Sequence, residues 1–203
     1  NSLKTDFGRK KVIVILGPRQ VGKTTLLEAL GTSDKKCLML NCDDMDDTML
    51  IENKTSTELK SLISNYDLVC IDEAQRVRNI GMTLKKIGDL KLDTQVIVTG
   101  SSSFDLSNDI NEPATGRLLE YQFFPLSMSE LAANSSAREQ QRLLGNRLVY
   151  GLYPEVVTLP TDAKRTLTTL VNNYLYKDIL SYKGIKKPEL LQKLVRALAL
   201  QLG

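Results

Sequence analysis

The chain has 203 residues, yet it contains no histidine and no tryptophan, only three cysteines, and 5% aromatic residues. Without histidine there is no Ser-His-Asp triad, Cys-His dyad, HExxH zinc protease or facial-triad iron site. Acid–base chemistry is left to carboxylates, lysine, tyrosine or the substrate itself. Cys37, Cys42 and Cys70 form no CxxC pair, and each sits in or beside an apolar run. They read as small buried hydrophobes of a protein in a reducing cytosol. A three-cysteine metal site would need a fourth ligand that no histidine can supply. No apolar run approaches the roughly 20 residues that span a bilayer, and no stretch has the pattern of a signal peptide. The expected location is therefore cytoplasmic, with no membrane partner. The net charge of +3 is too small to argue for nucleic acid.

What is present is the composition of a globular protein, 42% hydrophobic and 25% charged. The length allows one medium domain or two small ones and is enough to bury a core unaided. The charge is uneven. From Lys164 to Arg196 eight basic residues face only Asp178 and Glu189, either a binding face or a solvated helical surface.

Residues 11–16, KVIVIL, form a short continuous apolar run, the mark of a strand buried on both faces. Further runs are CLMLN (37–41), DLVCID (67–72), QVIVTG (95–100) and LLEYQFF (118–124). A helical stretch, TTLLEAL, follows the first run and is closed by Gly31, and helical segments around 56–65 and 80–90 separate later ones. Strands alternating with helices predict a parallel sheet with crossover helices. After Pro125 helical periodicity dominates. Pro188 suits a first helical turn, with Leu190, Leu191, Leu194, Val195, Leu198 and Leu202 on one face. The expected domains are 1–126 and 127–203.

Gly17-Pro18-Arg19-Gln20-Val21-Gly22-Lys23-Thr24 fits GxxxxGK[ST] after a strand and before a helix. Gly17 and Gly22 allow unusual backbone conformations and close approach to a phosphate. Successive N–H groups form an anion nest at a helix N-terminus. Lys23 supplies positive charge to the β and γ phosphates, and the Thr24 hydroxyl is placed to ligand Mg²⁺. Thr25 is the candidate for the α-phosphate. Arg19 either contacts nucleotide or is solvated.

The run 67–72 ends in Asp72 and is followed by Glu73. Asp72 is expected to hold Mg²⁺ through water, and Glu73 to polarise the attacking water, which argues for hydrolysis of the γ-phosphate. In the additional-strand class of P-loop ATPases, the 95–100 strand lies between the phosphate-loop strand and the acidic one. A polar residue at its tip then faces the γ-phosphate. Ser101 or Ser102 is the candidate sensor, the alternative being a serine-rich cap for the next segment.

GPRQVGKTTLL, LVCIDEAQRV, VTGSSS, TGRLLEYQFFPLSMSEL and GLYPEV occur in this order. Together they resemble a large prokaryotic family of AAA-type P-loop ATPases, close to archaeal-type and signalling (STAND-like) ATPases. The resemblance implies a three-layer α/β sandwich with a five-stranded parallel sheet in the order 5-1-4-3-2, followed by a small helical lid. It implies winged-helix and nuclease-like C-terminal regions, largely outside this sequence. The chain starts without Met and stops at Gly203, as expected of a piece of such a longer protein. The resemblance makes Arg117 an arginine finger, which in such enzymes reaches a neighbouring subunit's nucleotide, so a homo-oligomer is implied. It makes Pro154, in Gly151-Leu152-Tyr153-Pro154, part of a lid element near the adenine. The alternatives are a surface salt-bridge arginine and a helix-joining turn. No second sensor arginine is evident on a lid helix, Arg165 being the candidate. Adenine is implied by the family, and no NKxD-type guanine motif follows the strands.

The expected function is Mg²⁺-dependent ATP binding and hydrolysis, with ATP and ADP as ligands and the nucleotide state moving the lid and an effector region. The alternatives are a slowly hydrolysing nucleotide switch or scaffold, and a DNA-associated or client-binding module acting through the basic C-terminal helices. A small-molecule kinase is disfavoured by Glu73.

Overall fold

In the computed structural model of the chain, residues 5–32, 35–101, 116–175 and 188–201 are described. Two compact units divide at Phe124 and Pro125.

The first unit is a five-stranded, all-parallel sheet in the order β2-β3-β4-β1-β5. The strands are β1 (Val12–Gly17), β2 (Cys37–Asn41), β3 (Leu68–Asp72), β4 (Gln95–Ser101) and β5 (Leu118–Gln122). Read from the other edge, this is the order 5-1-4-3-2. The helices are α1 (Lys23–Gly31), α2 (Met45–Ile51), α3 (Ser56–Ile63) and α4 (Ile80–Asp89). The continuous apolar runs follow from burial on both faces. Successive side chains of a strand point to opposite sides, so β1 divides between two cores. Val12, Val14 and Leu16 enter one core with Val69, Ile71, Val96 and Val98 from β3 and β4. Ile13 and Ile15 enter the other with Leu68, Cys70 and Ile97. Leu59, Ile63, Ile80, Leu84 and Ile87 of α3 and α4 close the first core. Leu27 of α1 closes the second. The result is a three-layer α/β sandwich. The edge strand β2 is only partly covered, and Met39 on it is 39% exposed.

The three cysteines are free thiols. Cys42 and Cys70 are buried, and Cys37 is half-buried. Burial, reinforced by Asp47 and Asp72, pushes the Cys42 thiol up to about 12. Burial also pushes Cys70 up to about 12, with Cys37 as the next cause.

The described part of the second unit is helical: α5 (Met128–Ala133), α6 (Ala137–Tyr150), α7 (Pro154–Thr158), α8 (Ala163–Leu170) and α9 (Pro188–Gln201), with a π turn at Val171–Leu175. Ser127 and Glu130 form a reciprocal capping box at the start of α5, satisfying donors that a helix start leaves unpaired. Ser136 caps α6, and Gly151 ends it at φ 75°. Val156, Ala163 and Thr166 are buried in this unit. Lys164, Arg165, Lys193 and Arg196 are exposed on their helices. Lys177, Asp178, Lys183, Lys186 and Lys187 lie outside the described residues.

Candidate functional site

In a parallel sheet the strands all end on one side, and that side collects the site residues. Gly17 of β1 pairs with Ser101 of β4, and Asn41 of β2 pairs with Asp72 of β3. The loop from Gly17 to Thr24 therefore lies beside the ends of β3 and β4.

The loop is shaped by its backbone. Gln20 has φ 60° and Gly22 φ 97°, turning successive amides into a concave path. Helix α1 starts directly at Lys23, with no side-chain cap and no acid in its first turn. Its orphan N–H groups and dipole are thus left for an anion. A Cβ on Gly17 would lie 2.4 Å from the Phe123 carbonyl oxygen, so glycine is required there by close backbone approach. Val21 is buried at the base of the loop, while Pro18 and Arg19 are partly exposed and Gln20 and Thr25 exposed.

Lys23 is 4% exposed. Its Nζ donates to the carbonyl oxygens of Gly17 at 2.9 Å and Pro18 at 2.8 Å. Burial lowers its pKa below the usual 10.5; Glu73 and Asp72 oppose this, and Arg19 adds to it. The ammonium is a poorly hydrated charge curled over the loop that a phosphate would enter.

Asp72 gathers three donors. The Thr24 hydroxyl donates to its Oδ2 at 2.6 Å. The Thr99 hydroxyl and the Glu73 N–H, the latter at 3.1 Å, both donate to Oδ1. Thr24 and Asp72 thus bring a hydroxyl and a carboxylate together, the hard oxygen donors that suit Mg²⁺. Glu73 follows in the left-handed region at φ 52°, ψ 39°, and leads into a short 3₁₀ turn, Ala74–Arg76. Gln75, in that turn, donates through Nε2 to Glu73 Oε2, and its Oε1 accepts from the Ser101 N–H at 3.2 Å. Ser101 is 4% exposed at the tip of β4; Ser102 lies outside the described residues.

The structure brings together Gly17 to Thr24, Asp72, Glu73 and Ser101. It does not bring Arg117 to them. Arg117 precedes β5, and its carbonyl accepts from Val12 N at 3.1 Å, at the start of β1. It therefore lies at the sheet end opposite Gly17. Its guanidinium pairs with Asp89. With Arg9, Lys10, Lys11 and Lys91 it lines a basic cleft of about 730 Å³. Pro154 opens α7 in the second unit, and Arg165 is on α8.

Two residues of this constellation escape a reading of motifs. Thr99 is a hydroxyl in a fully buried strand, and the rule that buried polar groups are hydrogen-bonded is the signal that marks it. Gln75 stands two positions after Glu73, and only the tight turn between them brings the two side chains together.

Sheet order, phosphate loop and acidic strand define a P-loop NTPase. The chain belongs to the AAA domain family, whose model matches residues 9–132. Residues 141–203 match a second family, described as a domain of unknown function. Among similar proteins is an uncharacterized protein of Haemophilus influenzae, 27% identical over 98% of this chain and 52% of its own length. Another, from Mycobacterium bovis, is 28% identical over 67% of this chain and 30% of its own. A third, from Methanocaldococcus jannaschii, is 24% identical over 91% of this chain and 46% of its own. The chain thus spans about half, or less, of the curated relatives it matches. Among the described residues no helix is long and apolar enough to cross a membrane.

Proposed function

We propose that the chain binds Mg²⁺–ATP and hydrolyses the β–γ phosphoanhydride, with ADP as product. The observation that carries this reading is the meeting of buried Lys23, the Thr24–Asp72 pair and Glu73 at one end of the sheet. Backbone N–H groups of Arg19 to Thr24, Gln20 and Val21 among them, wrap the β-phosphate, Gly17 and Pro18 shape the entry to the loop, and Thr25 reaches the α-phosphate. Lys23 exchanges its two carbonyl partners for phosphate oxygens. Thr24, and Asp72 through water, would hold Mg²⁺, which would supply charge neutralisation to the phosphate oxygens. Glu73 orients the attacking water and accepts its proton. The water oxygen bonds to the γ-phosphorus as the bond from that phosphorus to the bridging oxygen breaks; the bridging oxygen leaves on ADP with the bonding electrons, and the γ-phosphoryl group becomes inorganic phosphate. Ser101 senses the γ-phosphate from the tip of β4.

The second unit, with Pro154, serves as the lid, and its position follows the nucleotide and moves an effector region. Arg117 serves a neighbouring copy. Its distance from its own phosphate loop, set by the length of β1 and β5, supports action in trans over action in cis.

The test is phosphate release measured beside nucleotide occupancy. Wild type should release phosphate only with Mg²⁺. Glu73→Gln should bind ATP but lose turnover, and Lys23→Ala should lose binding. Tight ATP binding with no phosphate release at any protein concentration would replace hydrolysis with a switch or scaffold role.

A further inference from the structure

Gln75 joins two polar groups from different elements. Its Nε2 donates to Oε2 of Glu73, in the turn after β3, and its Oε1 accepts from the N–H of Ser101, at the end of β4. One planar amide makes both bonds, so a displacement of either partner is felt by the other. The turn that carries Gln75 is firmly seated. Ala74 is 0% exposed and Val77 3%. The Arg76 N–H closes the turn on the Glu73 carbonyl at 3.0 Å. The left-handed backbone of Glu73 is costly for a residue with a Cβ. It is what folds the chain back so that the residue two positions on reaches the glutamate side chain.

We propose that Gln75 is a positioning residue for Glu73 that ties the glutamate to the tip of β4. Glu73 carries its carboxylate on two flexible methylenes, and a general base must be held within hydrogen-bond reach of its water. Gln75 occupies one carboxylate oxygen and leaves Oε1 to face the water. A γ-phosphate engaging the end of β4 shifts the Ser101 N–H, and the same amide passes that shift to Glu73. The proposal rests on the hydrolytic reading above.

Kinetics of the full-length protein test it. Gln75→Met keeps the approximate size of the side chain and removes both hydrogen-bonding atoms. Gln75→Glu keeps the acceptor for Ser101 and sets a carboxylate against Glu73. Both should lower kcat about 10- to 100-fold, the scale of a misplaced catalytic group. KM and the Kd for Mg²⁺–ATP should change by less than about threefold. In a Glu73→Gln background, Gln75→Met should cause no further loss, because the group it positions is gone. Unchanged kcat, a parallel loss of nucleotide affinity, or a full additional loss in the Glu73→Gln background overturns the role of Gln75 while the hydrolytic reading stands. Wild-type turnover by Glu73→Gln alone overturns that reading, and the proposal with it.

Discussion

The Thr24 hydroxyl donates to Oδ2 of Asp72 at 2.6 Å, joining the start of α1 to the end of β3 across 48 residues of chain. Because Asp72 is also fixed by Thr99 and the Glu73 N–H, Thr24 is oriented before any cation arrives. Removing one ligand to a charged group costs about 1.5–3 kcal/mol. Thr24→Ala should therefore raise the Mg²⁺ concentration for half-maximal turnover about 10- to 100-fold, while Thr24→Ser restores it. An unchanged Mg²⁺ titration in Thr24→Ala would remove the metal role of this hydroxyl.

The buried ammonium of Lys23 makes a pH prediction whose sign is fixed. Its pKa in the free protein lies below 10.5 because burial outweighs Glu73 and Asp72, and bound phosphate would raise it. Affinity for Mg²⁺–ATP should be level while Lys23 is protonated in both states. It should then fall by about tenfold per pH unit as pH climbs above the free-protein value. Folding stability of the nucleotide-free protein runs the other way. Between the lowered folded value and the ordinary unfolded value the unfolded chain holds more protons, so Lys23 adds stability as pH rises. Calorimetric titrations across alkaline pH check this, and the same slope in Lys23→Met would exclude Lys23 as its source.

The strands were legible because each is buried on both faces. CLMLN matches Cys37–Asn41 residue for residue, and the run at 118–124 shortens to Leu118–Gln122. The phosphate loop was legible because its chemistry is local: glycines, lysine and threonine at fixed spacing. Helix α2 was not. Met45, Asp46, Asp47 and Met49 show no apolar stripe, and the helix is set by the Asp44 cap that accepts from Asp46 N. Gln75 and Thr99 were equally hidden, because their partners come from another strand or from a tight turn. The end of the sheet at which Arg117 lies follows only from the parallel register of β5 on β1.

Arg117 pairs with Asp89 in an ion pair whose side chains are 38% and 50% exposed. Such exposed pairs are worth about 1 kcal/mol or less, so the bond to Asp89 is itself a small obstacle to the guanidinium reaching a neighbour's phosphate. If it does, Arg117→Ala should lower turnover on the order of 10³-fold, and Arg117→Lys should not restore it. Mixing Arg117→Ala with Lys23→Ala should recover activity, one chain supplying the loop and the other the arginine. A mixture no more active than its components would leave Arg117 as a surface salt bridge.

Gly17 and Gly22 are both glycines for geometric reasons, but for different ones, and the two substitutions should separate. A methyl at Gly17 would lie 2.4 Å from the Phe123 carbonyl oxygen and 3.0 Å from its Cβ. The Phe123 N–H bonds the Leu16 carbonyl at 2.7 Å, so the backbone leaving β5 cannot retreat without loosening its tie to β1. Gly17→Ala should lower folding stability by about 1–3 kcal/mol or more, as overpacking does, and move the urea midpoint. At Gly22 a methyl meets nothing within 4 Å, but φ is 97°. Gly22→Ala meets a backbone penalty of about 1–2 kcal/mol in a left-handed conformation, which the partly exposed loop can relieve by changing shape. Its midpoint should move little, while nucleotide affinity falls sharply because the nest and the entry to α1 are lost. A native urea midpoint for Gly17→Ala, or undiminished ATP binding by Gly22→Ala, would contradict this division between a packing glycine and a conformational one.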